Sequence, residues 1–263
     1  MRRACPVLLL AMLAAITTAC SGGQSRTPNS TEAPSSPVQA GATTAGSVPQ
    51  ASPLPRGDQP VRVDPAKFTS RIDNPYWPMT PGNRWVFREG EQRVEVTVTG
   101  QTRKILGIDA RVVHDVMTLN GQVREDTFDW YAQDADGNIW YMGEDTKEYE
   151  NGKVVSTAGS WQAGLDGAQP GILLPADPKP GLAYRQEYYR GQAEDAAQVL
   201  SVSQRVRVPF GSFDQVLTTK DYTPLEPSVV EHKFYARGVG PVLAITVSGG
   251  SGREELLRFE RTS

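Results

Sequence analysis

Two Asn-Gly pairs, Asn120-Gly121 and Asn151-Gly152, constrain this chain more than any other feature. Asn-Gly supplies two consecutive residues that accept positive φ, as type I′ turns require, and such turns match the twist of paired strands. Residues 111–117 and 123–131 flank the first pair, and both runs are rich in β-branched and aromatic side chains. Tyr149 and Val154-Val155 flank the second. The same punctuation recurs at Glu89-Gly90-Glu91, between residues 84–88 and 93–98, and at Asp134-Ala135-Asp136-Gly137-Asn138, between 128–132 and 139–142. Further short runs at 182–189, 199–208, 213–219, 232–236, 242–247 and 255–259 read as strands. Only 192–200, with Ala193, Ala196 and Ala197, favours helix. The pattern predicts a mainly β fold: an antiparallel meander forming a curved sheet or half-barrel, with little helix.

The N-terminus reads as an address. Arg2 and Arg3 precede an apolar run at 7–16, too short to span a bilayer, and Thr17-Thr18-Ala19-Cys20 follows. This resembles a bacterial lipoprotein signal, although Thr17 stands where Leu is customary three residues before the cysteine. The resemblance implies removal of residues 1–19 and modification of Cys20 by a diglyceride and an acyl chain such as palmitate. The alternative is a plain secretory signal cleaved near Ala19. Processing removes Cys5, Arg2 and Arg3, so the formal charge moves from -3 to -5 and no cysteine remains free to form a disulfide. The fold then rests on its core alone, even outside the cytoplasm.

Residues 20–60 are dominated by Ser, Thr, Pro, Gly and Ala, with no aromatic residue. Such a composition buries too little apolar area to offset the entropy of ordering, and predicts a disordered tether open to O-glycosylation. A coil of this length spans roughly 35 Å. Residues 61–263 are then expected to form one β-rich extracytoplasmic domain. Within it, a shift of 104 residues aligns Arg103, Gly107, Val112, Tyr131 and Ala132 with Arg207, Gly211, Val216, Tyr235 and Ala236. If that echo is a duplication, two similar meanders build the sheet.

Four segments carry a resemblance: Ile72-Asp73-Asn74-Pro75-Tyr76-Trp77-Pro78-Met79-Thr80-Pro81-Gly82-Asn83-Arg84-Trp85, the run Asp129-Trp130-Tyr131-Ala132-Gln133-Asp134 continuing through Gly137-Asn138-Ile139-Trp140-Tyr141-Met142-Gly143-Glu144, Val208-Pro209-Phe210-Gly211-Ser212-Phe213, and Tyr235-Ala236-Arg237-Gly238-Val239-Gly240. As a set they resemble a family of secreted bacterial proteins, mainly actinobacterial lipoproteins. The resemblance covers most of 72–259 and implies secretion and a single domain. It implies no activity, substrate or catalytic residue. The Gly-Val-Gly and Pro-x-Gly-x-Phe turns are also similar to those of half-barrel envelope lipoproteins, a likeness of fold alone. Pro75, Pro78 and Pro81 predict that the first segment runs extended and caps one end of the sheet with Tyr76, Trp77 and Met79.

Chemistry is sparsely marked. Asp134, Asp136 and Asn138, with Glu144 and Asp145 beyond, offer oxygen ligands for Ca²⁺, but Gly137 is misplaced for a calcium loop and the same residues suit a tight turn. No other cofactor is expected. His114 and His232 are the two histidines and lie on separate candidate strands, where each reads as an exposed or satisfied residue. Gly249-Gly250-Ser251-Gly252 lacks the strand-to-helix context of a nucleophile elbow. A carboxylate pair for hydrolysis cannot be chosen among thirty acids. Trp77, Trp130, Trp140 and Tyr141, with Tyr184, Tyr188 and Tyr189 as a further set, serve either as core or as an apolar or carbohydrate-binding surface. The acidic balance excludes a nucleic-acid partner. The expectation is therefore a monomeric, lipid-anchored protein on the outer face of the cell membrane, non-enzymatic, with a binding or scaffolding role. The alternatives are a carrier of lipid or another apolar ligand in a half-barrel cavity, and a hydrolase of unrecognised type.

Overall fold

The structure, a computed structural model, describes residues 54–262. The expected signal peptide, Cys20 and most of the expected tether lie outside the described residues. A one-turn 3-10 helix (Pro65–Lys67) precedes sixteen strands. They are β1 (Phe68–Thr69), β2 (Arg84–Glu89), β3 (Gln92–Ile105), β4 (Ile108–Leu119), β5 (Gln122–Asp134), β6 (Ile139–Glu150), β7 (Lys153–Ser156) and β8 (Trp161–Gln162), then β9 (Gln169–Leu174), β10 (Ala183–Arg185), β11 (Glu187–Tyr188), β12 (Ala196–Val208), β13 (Gly211–Tyr222), β14 (Val230–Ala236), β15 (Gly240–Ser248) and β16 (Arg253–Glu260). All pair antiparallel in one sheet of order β10-β12-β13-β14-β15-β16-β2-β3-β4-β5-β6-β9-β11, with β1 on β5 and β7 and β8 on β6. The mainly β, strongly curved architecture follows the turn chemistry: Asn120 and Gly121 have φ of 52° and 76°, and Asn151 and Gly152 have 52° and 73°.

The two ends of that order, β10 and β11, are consecutive in sequence with only Gln186 between them. A flat sheet cannot bring its first and last strands within one residue of each other, so the sheet wraps into a nearly closed barrel. The run 182–189, expected as one strand, is thus two short ones serving opposite ends of the sheet: Tyr184 pairs with Ala197, and Glu187 with Pro170. The expected helix at 192–200 is also absent. Ala196 opens β12, and Ala197 lies fully buried between Tyr184 and Asp221, where a larger side chain would have no room.

Arg185 fastens the seam. Its guanidinium donates to the carbonyls of Gly57 (2.7 Å), Gln59 (2.8 Å) and Pro170 (2.9 Å), and its backbone N–H donates to Pro55 O. Residues 54–60, which composition assigns to the tether, are therefore held against the sheet. The backbone carbonyls they offer need no particular side chain, so composition does not reveal the contact.

The Pro-rich segment does not run extended. Trp77 N–H bonds Asn74 O, and Met79 N–H bonds Ile72 O, folding residues 72–79 into a tight loop. Asn74 ties this loop to Gly137 O and, less closely, to Pro175 O. The loop drives Trp77 into the barrel, where its ring lies 6.2 Å from Trp85, 6.1 Å from Tyr131 and 6.3 Å from Tyr235. Those partners stand on β2, β5 and β14, and β5 and β14 are six places apart in the sheet order. Trp77 thus plugs the space the sheet encloses. Tyr131 and Tyr235, the residues related by the 104-residue echo, meet it at the same 43° inclination. They stand on the third strands of the successions β3-β4-β5 and β12-β13-β14, paired with Arg111 and Leu217.

Gly171 stands where the seam is tightest. A methyl group there would overlap the carbonyl oxygen of Gln186 and sit 2.6 Å from that of Arg185. Gly171→Ala is expected to lower stability by about 1–3 kcal/mol, as overpacking does. Hydrogen exchange at 185–187 should accelerate before the rest of the sheet. Unchanged exchange there would contradict the seam.

Candidate functional site

Alternation along β5 sends Glu125, Thr127, Asp129, Tyr131 and Gln133 to one face, and Asp126, Phe128, Trp130 and Ala132 to the other. The first set faces inward with Trp77. Opposite Thr127 and Asp129 stand Thr146 and Glu144 of β6, and a bulge beside Trp130 lets Tyr141 rather than Met142 face Tyr131. An aromatic path then runs through the interior: Trp77 to Tyr131, Tyr131 to Tyr141 at 4.9 Å, Tyr141 to Trp161 at 5.3 Å.

Beside this path lies a belt of acids. Asp115, Glu144, Glu187, Asp195, Glu231 and Glu254 each feel the charge of neighbouring acids, with Asp129 and Asp221 among those neighbours. Burial, reinforced by these like charges, pushes the carboxyls of Asp115, Glu144, Glu187 and Glu254 well above the usual range. Asp129 is pushed up to about 7 by burial, against the lowering effect of the Tyr141 hydroxyl, which donates to its Oδ1 at 2.6 Å. Burial together with Asp129 raises Glu125 to about 7. Asp195 is raised to about 6, mainly by burial. Lys233 is the cation set among them, 3.2 Å from Asp221. Burial disfavours its charge, but Asp221, Tyr235, Glu231 and Asp195 outweigh that and hold it protonated.

Three of these acids line clefts in the surface. Between β6, β8 and the loop after β8 lies a cleft of about 300 Å³ lined by Glu144, Asp145, Trp130, Trp161, Asp166, Tyr189, Arg103 and others. Across the seam a second cleft, of about 480 Å³, is lined by Glu187, Asp195, Arg185, Arg190, Tyr188, Tyr222 and neighbours. Neither oxygen of Glu144 has a hydrogen-bond partner, nor has Oε2 of Glu187, although both side chains are buried. An unpaired buried carboxylate is expensive, so burial here favours the protonated form.

The aromatic candidates divide. Trp77 and Tyr141 meet through Tyr131 inside the barrel. Trp130 points away from them and lines the smaller cleft, with the Arg103 guanidinium 4.0 Å above its ring. Trp140 packs against Phe68 and donates from Nε1 to Asp134 Oδ2 at 2.7 Å. Asp134 also accepts from Asn138 N, Asn138 Nδ2 and Asp136 N, while Asn138 Oδ1 accepts from Ala176 N. Both Asp134 oxygens and the Asn138 carbonyl are thus engaged in holding the β5–β6 turn, and Asp136 is exposed. Among the described residues no group of three His, Cys, Asp or Glu side chains is placed to hold a metal ion. His114 stacks on Phe128 at 4.3 Å with Nε2 2.8 Å from Asp126. His232 sits on β14 facing away from the inward Glu231 and Lys233.

The chain matches no protein-family profile and no curated relative. Two solved structures are similar over part of it. One is a Bacteroides fragilis protein with a YmcC-like fold, inferred to be exported, at 13% identity and a TM-score of 0.42, covering 69% of this chain and 97% of the other. The second is a Parabacteroides distasonis protein, inferred to be a lipoprotein, at 10% identity and 0.39, covering 70% and 98%.

Two outcomes follow for stability. Lys233→Met leaves Asp221 and its neighbours without their cation and should cost about 3–5 kcal/mol in chemical denaturation. An unaltered midpoint would contradict the buried pair. For pH, unfolded carboxyls titrate near 4, whereas folded Asp129 and Glu125 keep their protons to about 7 and Asp195 to about 6. The folded chain therefore binds more protons in between, and that share of stability, complete below pH 4, is lost as pH rises toward 7. The melting temperature should be higher at pH 5 than at pH 8. The opposite order would contradict a buried belt.

Proposed function

We propose that this chain is a lipid-anchored protein of the cell envelope, acylated at Cys20, whose β domain is a non-enzymatic binding module taking its ligand in the clefts along the seam. The charged N-terminus, the short apolar run and the cysteine at its end support the anchor. The family resemblance of the Asn74-to-Trp85 and Asp129-to-Glu144 segments agrees with it.

One observation carries the binding reading: two clefts beside the seam are lined by acids, arginines and aromatic rings, while Trp77 and its neighbours fill the interior. An apolar carrier calls for the reverse, a greasy open cavity with its polar groups satisfied.

Cys20→Ser should move the protein from the membrane fraction to the medium, followed by detergent partitioning. Retention at the membrane would contradict the anchor. Native mass spectrometry of the detergent-extracted chain should show a small-molecule adduct that denaturation removes. A bare mass under gentle conditions would contradict the binding reading.

A further inference from the structure

Resting on that reading, we propose that the larger cleft beside the seam, lined by Tyr188, Tyr222, Arg190 and Asp195, binds an uncharged saccharide. The charges of its walls cancel. Asp58, Glu194 and Asp195 face two guanidiniums, Arg185 and Arg190, and Lys233, which does not line the cleft, offsets Asp195. Glu187 also lines it, and burial favours the protonated form of its carboxyl. A phosphate or carboxylate ligand would meet three acids, and an amine would meet three cations. A ligand without net charge escapes both penalties.

The polar groups suit hydroxyls. A sugar hydroxyl both donates and accepts, so it fits between a carboxylate and a guanidinium. Asp195 is half-buried, and Arg190 is largely exposed with its ion pair to Asp58 stretched to 3.9 Å, so both keep capacity for a ligand. The apolar side of a sugar ring needs a flat partner. Tyr222 is 39% exposed, and the residue paired with it on β12 is Ala196, whose single methyl group leaves the ring uncovered. Tyr188 is half-buried and adds a second ring. Gly57 has open space where a Cβ would stand, so its backbone admits close approach. That stretch of wall is fixed in advance, because Arg185 donates to Gly57 O at 2.7 Å. The cleft volume of about 480 Å³ lies within the roughly 300–1,000 Å³ of ligand pockets.

A printed array of neutral hexose and pentose oligosaccharides, probed with the full-length detergent-extracted protein, tests this. Uronic-acid and amino-sugar oligosaccharides serve as charged controls. At least one neutral saccharide should be retained, and calorimetry with it in solution should show saturable binding. Tyr222→Ala and Asp195→Asn should each weaken that binding about tenfold or more. Arg190→Ala alters a side chain that is 81% exposed, and should weaken binding several-fold at an unchanged melting temperature. Phe210→Ala removes an exposed ring on the β12–β13 turn, away from the cleft, and should bind as wild type does. Retention of charged saccharides alone, or wild-type affinity in any of the three cleft variants, overturns the proposal. The mass of the native adduct tells a free saccharide from a glycolipid headgroup, since only the latter carries acyl chains. If no saccharide is retained while a native adduct persists, the ligand class is wrong and the binding module stands. If the adduct is absent as well, the two readings fall together.

Discussion

The constraint on which the molecule depends is the one-residue gap at Gln186. Strands at opposite ends of the sheet order meet there, and the Arg185 guanidinium holds the junction by occupying three backbone carbonyls. Burial lowers the pKa of that guanidinium to about 10, still far above neutrality, so the clasp stays charged. Arg suits the position because its planar fork of fixed donors meets several carbonyls at once, which a lysine ammonium on a flexible stem does less well. Closure enforced at this point converts one face of the sheet into an interior.

That interior is divided by chemistry. One part is packed by aromatic rings around Trp77, admitted at the β14–β15 turn by Gly240, whose missing side chain would otherwise stand 2.9 Å from the Trp77 ring. The other part is acidic, with a buried ion pair between Lys233 and Asp221. A core of uniform apolar residues would be simpler to stabilise. Retaining so many carboxyls in a low-dielectric space favours their protonated forms and makes the acidic part of the interior the costlier one to fold.

Much of the fold was legible in the residues. Positive-φ turn pairs and alternating runs define the hairpins, because both depend on local backbone sterics. The split of 182–189 was not, since the choice between one strand and two is made by partners distant in sequence. The alanines at 193–197 suggested helix, but here small size serves packing. Trp77, expected to cap one end of the sheet from an extended segment, lies in the interior on a tight loop held by Asn74 hydrogen bonds that proline spacing does not announce. The acidic belt was hidden. Glu125, Asp129 and Glu144 alternate with large residues on both faces, so period-two patterning does not say which set points inward. Once the sheet closes, their shared face becomes evident.

The central claim is that a belt of carboxyls, Glu144 among them, is buried on the inner face of the sheet with too little positive charge to balance it, so that part of the belt stays protonated at neutral pH. Infrared difference spectroscopy reads this directly through the C=O stretch of protonated carboxyl groups. At pH 7 the protein should show a protonated-carboxyl band that shrinks in Glu144→Gln. A spectrum with every carboxyl ionised at pH 7, the same in wild type and variant, would contradict the account.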